Sequence, residues 1–186
     1  MVKGRTVAEQ PKQLKLDLGC GKNKCAPDFV GVDSRPFEGV DTVADLTQPW
    51  PWDDNSVDQV HCSHFLEHLE PSERVHFANE LWRVLKPGCS ALIIAPHWAS
   101  CRAYGDLTHK WPPVSEFWPP YLNAEWRSIN APHNDEYRCD FINGVGFGLR
   151  QDIIQRNQEY QQFAMSNFKE VAQDIHINLT KPAAAK

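Results

Sequence analysis

The stretch LKLDLGCGKNK, residues 14–24, decides how this chain is read: an apolar run of strand length carries one acid, Asp17, and stops at Gly19 and Gly21. Glycines let backbone approach a ligand where a side chain would collide, so the turn is a candidate nucleotide-binding loop. A P-loop is excluded, because the GxxxxGK[ST] spacing is absent. A dinucleotide fingerprint needs a third glycine where the chain has Lys24, and a ribose-binding acid about 20 residues further on. The first acid after the turn that also closes a strand-like run comes sooner, at Asp33.

Working outward, further strand-like runs follow: FVGVD (29–33), GVDTVADL (39–46), VDQVHC from Val57 and SALIIAP from Ser90. The second and third each carry an acid at their end, Asp33 and Asp45. Runs with few polar residues predict a mostly parallel sheet with helices on both faces. Between the fourth and fifth runs, Val75, Ala78, Leu81, Trp82 and Leu85 recur at helical spacing and predict a helix over 71–85, with Pro71 in its first turn and Lys86-Pro87-Gly88 ending it. Residues 97–132 interleave prolines with Trp98, Trp111, Trp118 and Trp126, and read as an irregular cap with one short helix around 114–122. A weakly alternating strand (139–150), a helix (151–165) and a last strand from Ala172 complete a single α/β domain. Residues 1–13 read as an N-terminal extension and 181–186 as a flexible tail.

Carboxylates at the carboxyl ends of neighbouring parallel strands share one rim of an open sheet, where such folds bind ligands. An ionised carboxylate only accepts hydrogen bonds, so a row of them suits ribose hydroxyls, an amino group or a cation better than phosphate. At this point residues 14–96 resemble a class I S-adenosylmethionine-dependent methyltransferase: LDLGCG, VGVD, VADLTQPWPWDDNSVDQV, FLEHLEP and LWRVLKPG stand in that family's order. The resemblance implies the Rossmann-like methyltransferase fold and S-adenosylmethionine as cofactor, with S-adenosylhomocysteine as its product. It implies that Asp17, Gly19, Cys20 and Gly21 meet the methionine part and ribose, that Asp33 with Ser34 accepts from the ribose hydroxyls, and that Asp45 and Leu46 flank the adenine. Cys62, Ser63 and His64 would then lie near the sulfonium and the incoming acceptor.

The segment PHWASCRAYGDLTHKWPP follows the fifth strand and should emerge beside that rim. His97, Trp98, Tyr104, Asp106, Thr108 and Trp111 are its candidate acceptor contacts, with His109 a candidate general base beside His64. The bland alternative, that these residues brace a rigid loop and that the tryptophans are core or dimer contacts, stands beside it. His61, His64 and His68 invite a metal, but no carboxylate or cysteine spacing completes a ligand set, so none is expected. Methyl transfer is an in-line displacement that gains mainly from alignment, so the lack of an obvious acid–base pair does not count against it.

Composition narrows the acceptor. With 186 residues, 41% hydrophobic, 23% charged and a formal net charge of −5, the chain reads as one globular unit without the concentrated basic surface that nucleic acid demands. No apolar window suits a membrane span, and the first dozen residues lack an export signal, so a cytoplasmic protein with its six cysteines reduced is expected. The [DNS]PP[YFW] motif of amine-methylating DNA enzymes is missing after the fourth run; Trp118-Pro119-Pro120-Tyr121 lies elsewhere. A small-molecule acceptor is therefore favoured, while a nucleic-acid or protein acceptor and pairing of two copies stay open. The alternatives are a noncatalytic S-adenosylmethionine-binding module that acts through a partner and, more weakly, a nicotinamide oxidoreductase.

Overall fold

The computed structural model describes residues 13–183. Their seven strands are β1 (Lys15–Leu18), β2 (Val30–Asp33), β3 (Thr42–Val43), β4 (Val57–Ser63), β5 (Leu85–Pro96), β6 (Ile142–Leu149) and β7 (Ala172–Thr180). They form one sheet in the order β3-β2-β1-β4-β5-β7-β6. The first five pair in parallel, and β7 runs antiparallel to both β5 and β6. The order reverses between β1 and β4, so the ends of β1, β2, β3 and β4 open onto a common crevice.

One face of the sheet carries the core. Leu16, Leu18, Val32, Val60, Cys62, Ile93, Ile175 and Ile177 are buried and pack in one cluster with Phe77 and Leu81 of helix α1 (Pro71–Val84). That helix starts as its sequence dictates, with Pro71 in the first turn and a reciprocal capping box between Glu70 and Glu73. Phe77, Ala78, Leu81 and Val84 fall on its buried side. The opposite face of the sheet is covered less: Lys15, Gln59, His61, Ser90, His176 and Asn178 there are half-buried or exposed. Residues 19–29, 34–41 and 44–56, which connect the first four strands, run in turns and bends and place no helix there.

Several boundaries differ from the sequence expectation for identifiable reasons. Helix α1 stops at Val84 because Leu85 already pairs with Val57 and is buried, so Lys86-Pro87-Gly88 lies inside β5 and Gly88 takes φ +83°. The third run contracts to Thr42–Val43 at the sheet edge. The helix expected over 114–122 is only a 3-10 turn, Pro119–Leu122, since adjacent prolines supply no amide donors. Two short helices were not foreseen: α2 (Arg102–Gly105) and α3 (Ala124–Asn130), the latter capped by the Asn123 side chain on the Trp126 N–H. The helix expected over 151–165 is two, α4 (Gln151–Ile154) and α5 (Gln158–Asn167), because Asn157 caps the second by accepting from the Tyr160 N–H. No helix among the described residues is long and apolar enough to cross a membrane. Of the expected extension at 1–13 and flexible tail at 181–186, residues 1–12 and 184–186 lie outside the described residues; Lys181 is not loose, because it is buried and exchanges backbone hydrogen bonds with Gly88 and Cys89 of β5.

Candidate active site at the carboxyl rim of the sheet

The turn after β1 is built from two glycines that are needed for different reasons. Gly19 has φ +69° and Gly21 φ +56°, a region L side chains rarely adopt. A Cβ on Gly19 would stand 2.6 Å from the Cβ of Phe65, whereas one on Gly21 would meet nothing within 4 Å. The first glycine is thus required by packing, and the second leaves open space on the rim. The Gly19 and Cys20 N–H groups both donate to the Val32 carbonyl, which ties the turn to β2.

Asp33 closes β2 beside this turn. Its Oδ2 accepts from the Gly21 N–H at 3.0 Å and its Oδ1 from the Arg35 N–H at 3.1 Å, so the carboxylate is fixed while its remaining lone pairs stay available. Ser34 beside it is exposed. Asp45, two residues past β3, is held by the Thr47 N–H and hydroxyl, which draw its pKa below the ordinary aspartate value. Leu46 next to it is buried with its side chain in the core. The rim row expected from sequence, Gly19, Gly21, Asp33 and Asp45, is therefore brought to one end of β1, β2 and β3.

Asp17 is different in kind. It is 3% exposed, and both oxygens are engaged inside the protein: Oδ2 accepts from the Cys25 N–H at 2.7 Å and Oδ1 lies 2.7 Å from His61 Nδ1. It holds the returning loop to β4. Cys20 is half-buried, and burial, reinforced by Asp17 and Asp33, raises its thiol pKa. The Cys62 side chain is fully buried in the core, and that burial raises its thiol pKa well above the usual range. Ser63 ends β4 paired with Ile94.

His64 follows directly and has φ +53°, a strained setting for a histidine, with its N–H donating to the Ile94 carbonyl. Its Nδ1 sits 3.2 Å from Glu67 Oε1, and its Nε2 is 3.9 Å from Asp174 Oδ1 on β7. The hydrogen bond to Glu67 raises the imidazole pKa against a smaller opposing effect of burial. Glu67, in the 3-10 turn Leu66–His68, is almost wholly buried.

The cap reaches this group of residues through its own histidine. Asp106 Oδ1 accepts from the Thr108 N–H and hydroxyl, the Thr108 Oγ1 lies 3.0 Å from His68 Nδ1, and His109 stacks edge-on to His68 with ring centroids 4.8 Å apart. Arg74 of α1 fixes the arrangement. Buried to 6% exposure, it donates to the carbonyls of Leu66 and Leu69 on one side and of Lys110 and Pro112 on the other. His97 is buried and, with the Trp98 indole N–H, engages Glu116 Oε2, while the Tyr104 hydroxyl donates to the Trp98 carbonyl. Trp111 is 73% exposed. Of the expected acceptor contacts, His97, Trp98 and Tyr104 form one braced set and Asp106, Thr108 and His109 another.

Glu67, Arg74 and Asp174 were not singled out from sequence. Glu67 stood in a recognisable EHL pattern, but the other two give no local signal, since their importance comes from β7 and the cap folding back onto β4. A cavity of about 310 Å³ opens under the cap between Arg74, Pro113, Phe117, Trp118, Tyr121 and Tyr137. No rim carboxylate lines it.

Residues 30–93 match a family model described as a methyltransferase domain. Among solved structures, a SAM-dependent methyltransferase from Archaeoglobus fulgidus superposes with a TM-score of 0.64 at 18% identity, over 92% of this chain and 87% of that one. Geranyl diphosphate C-methyltransferase from Streptomyces coelicolor, solved with Mg2+, geranyl diphosphate and S-adenosylhomocysteine, gives 0.53 at 14% identity over 92% and 71%. A methyltransferase and activator complex from Haloferax volcanii gives 0.51 at 15% identity over 96% and 86%. No curated protein matches the chain by sequence. At such identities these likenesses speak to the fold.

Proposed function

We propose that this chain, a class I methyltransferase by its fold and by the family match over residues 30–93, binds S-adenosylmethionine on the β1–β3 rim and transfers its methyl group to an acceptor held under the 97–132 cap. The observation that carries this reading is Asp33, a carboxylate pinned by two backbone N–H groups at the end of β2 with acceptor capacity to spare, next to the open side of Gly21. A vicinal diol presents two donors to such a group. Ser34 stands beside Asp33 on the ribose side, and Asp45, past the adjoining strand, is the acceptor for an exocyclic amine with Leu46 next to it. The cofactor supplies a methyl group on a sulfonium, and the chain's work is to align it and exclude water.

His64 is the residue proposed to take a proton where the acceptor must lose one. Glu67 fixes its Nδ1, which leaves the Nε2 lone pair as the basic atom, and Asp174 lies where it stabilises the imidazolium that forms. His109, the second imidazole assigned to the acceptor side, joins the cap to the 3-10 turn. A small molecule is the preferred acceptor, which agrees with the net negative charge and with the Streptomyces structure, solved with geranyl diphosphate.

Calorimetric titration with S-adenosylmethionine, S-adenosylhomocysteine and NAD tests the reading. Micromolar binding of both sulfur nucleosides with no binding of NAD is expected. Binding of NAD alone, or of none by a folded protein, overturns it. Binding without transfer to any acceptor in a broad screen returns the chain to a noncatalytic module.

A further inference from the structure

The fold brings together three ligand-type side chains that the sequence keeps apart. The donor atoms of Glu67, His68 and His109 all lie within 4.8 Å of one another, with Glu67 buried and the two histidines half-buried. Glu67 Oε1 is taken by His64, but Oε2 is buried with no hydrogen-bond partner among the described residues. Arg74 does not satisfy it, because its hydrogen bonds go to the four carbonyls of Leu66, Leu69, Lys110 and Pro112. A buried carboxylate oxygen without a partner is costly unless something else meets it.

The two imidazoles are oriented as ligands would be. His109 Nδ1 lies 3.2 Å from the Ala103 carbonyl, an oxygen that only accepts, so Nδ1 carries the proton and Nε2 the lone pair. The Thr108 hydroxyl donates to Asp106 Oδ1 and is left to accept from His68 Nδ1, which fixes the same tautomer there. Outer hydrogen bonds of this kind, one from the carbonyl and one through a Thr–Asp relay, are the support that metal-ligating histidines receive.

We propose that Glu67 Oε2, His68 Nε2 and His109 Nε2 form a site for a borderline divalent cation of the zinc class. Two imidazoles and one carboxylate suit Zn2+, Co2+ or Ni2+ rather than Mg2+ or Ca2+, and three protein ligands leave a fourth position for water or a donor atom of a bound molecule. The cation satisfies the orphan oxygen and clamps the cap loop at His109 to the turn after β4. The site is independent of S-adenosylmethionine.

The test is a titration of the untagged, chelator-treated protein with Co2+, read by visible absorption, and with Zn2+, read by calorimetry, both without nucleoside. One equivalent is expected to bind at micromolar or lower concentration. His68→Ala, His109→Ala and Glu67→Gln should each weaken it at least 10-fold, while His176→Ala, on the sparsely covered sheet face, should leave it unchanged. Circular dichroism of each variant, and the milder His109→Gln, separate lost ligation from lost fold. Wild-type binding no tighter than that of the folded His68→Ala/His109→Ala double variant, or an equal loss in His176→Ala, would overturn the assignment. Because the readout needs no nucleoside, its failure is distinct from failure of the methyltransferase reading.

Discussion

Gly19→Ala and Gly21→Ala form a matched pair whose difference follows from the geometry of the first turn. Both residues have positive φ, so alanine at either costs roughly 1–2 kcal/mol of backbone strain. Only at Gly19 does the new methyl collide, at 2.6 Å from the Cβ and Cδ2 of Phe65, whose ring packs on Phe77 in the core. Overpacking of that kind adds about 1–3 kcal/mol. Urea unfolding should therefore show Gly21→Ala down by about 1–2 kcal/mol and Gly19→Ala by about 2–5 kcal/mol, with unchanged m-values. Ligand binding should rank the other way: the Gly21 methyl projects into the open space assigned to the nucleoside, so this variant should bind S-adenosylmethionine at least 10-fold more weakly. Equal stability losses in the two variants would refute the claim that Phe65 is what requires the first glycine. Unimpaired binding by Gly21→Ala would remove the open side of the turn from the site.

Asp33→Ala should weaken S-adenosylmethionine about 10- to 100-fold in calorimetry while the circular dichroism spectrum is retained, since it deletes charge-assisted hydrogen bonds to a ligand; unchanged affinity would take Asp33 out of the site. Arg74→Met should cost about 3–5 kcal/mol in urea unfolding, because hydrogen bonds to four carbonyls are lost at once, and limited proteolysis should then cut within 97–132; a loss under about 1 kcal/mol would contradict the bracing role. Glu80 accepts from the Trp50 N–H and from Arg83, and the Arg83 hydrogen bond holds its pKa below the ordinary glutamate value. With the folded pKa below the unfolded one, its stabilisation is complete above the unfolded value near 4.3 and fades as pH falls through the folded one. Stability of Glu80→Gln should therefore depend less on pH below about 4.3 than that of the wild type, and parallel acid limbs would count against this linkage.

How much was legible beforehand tracks how local each cause is. The order LDLGCG, VGVD, VADL made the parallel half of the sheet and its acid-bearing ends readable, because strand, turn glycine and terminal acid sit within a few residues of one another. Helix α1 was readable for the same reason, from its spacing and its proline. Its end was misplaced by one residue because strand pairing of Leu85 with Val57 overrides the local Lys-Pro-Gly signal. The polar face of the sheet was hidden in the run SALIIAP, where half-buried Leu92 and Ile94 look no different from buried Ile93. Asp17 shows the limit most clearly: the family resemblance implied a ligand contact, while its two oxygens are engaged by Cys25 and His61. The joining of Glu67 and His68 to His109 depends on a cap that returns across some forty residues, and no periodicity in the chain announces it.

The Arg74 guanidinium grips carbonyls from the turn after β4 with some of its hydrogens and carbonyls from the cap with others. Releasing the cap therefore takes several hydrogen bonds from one buried cation together, where a loop held by separate side chains would give them up one at a time.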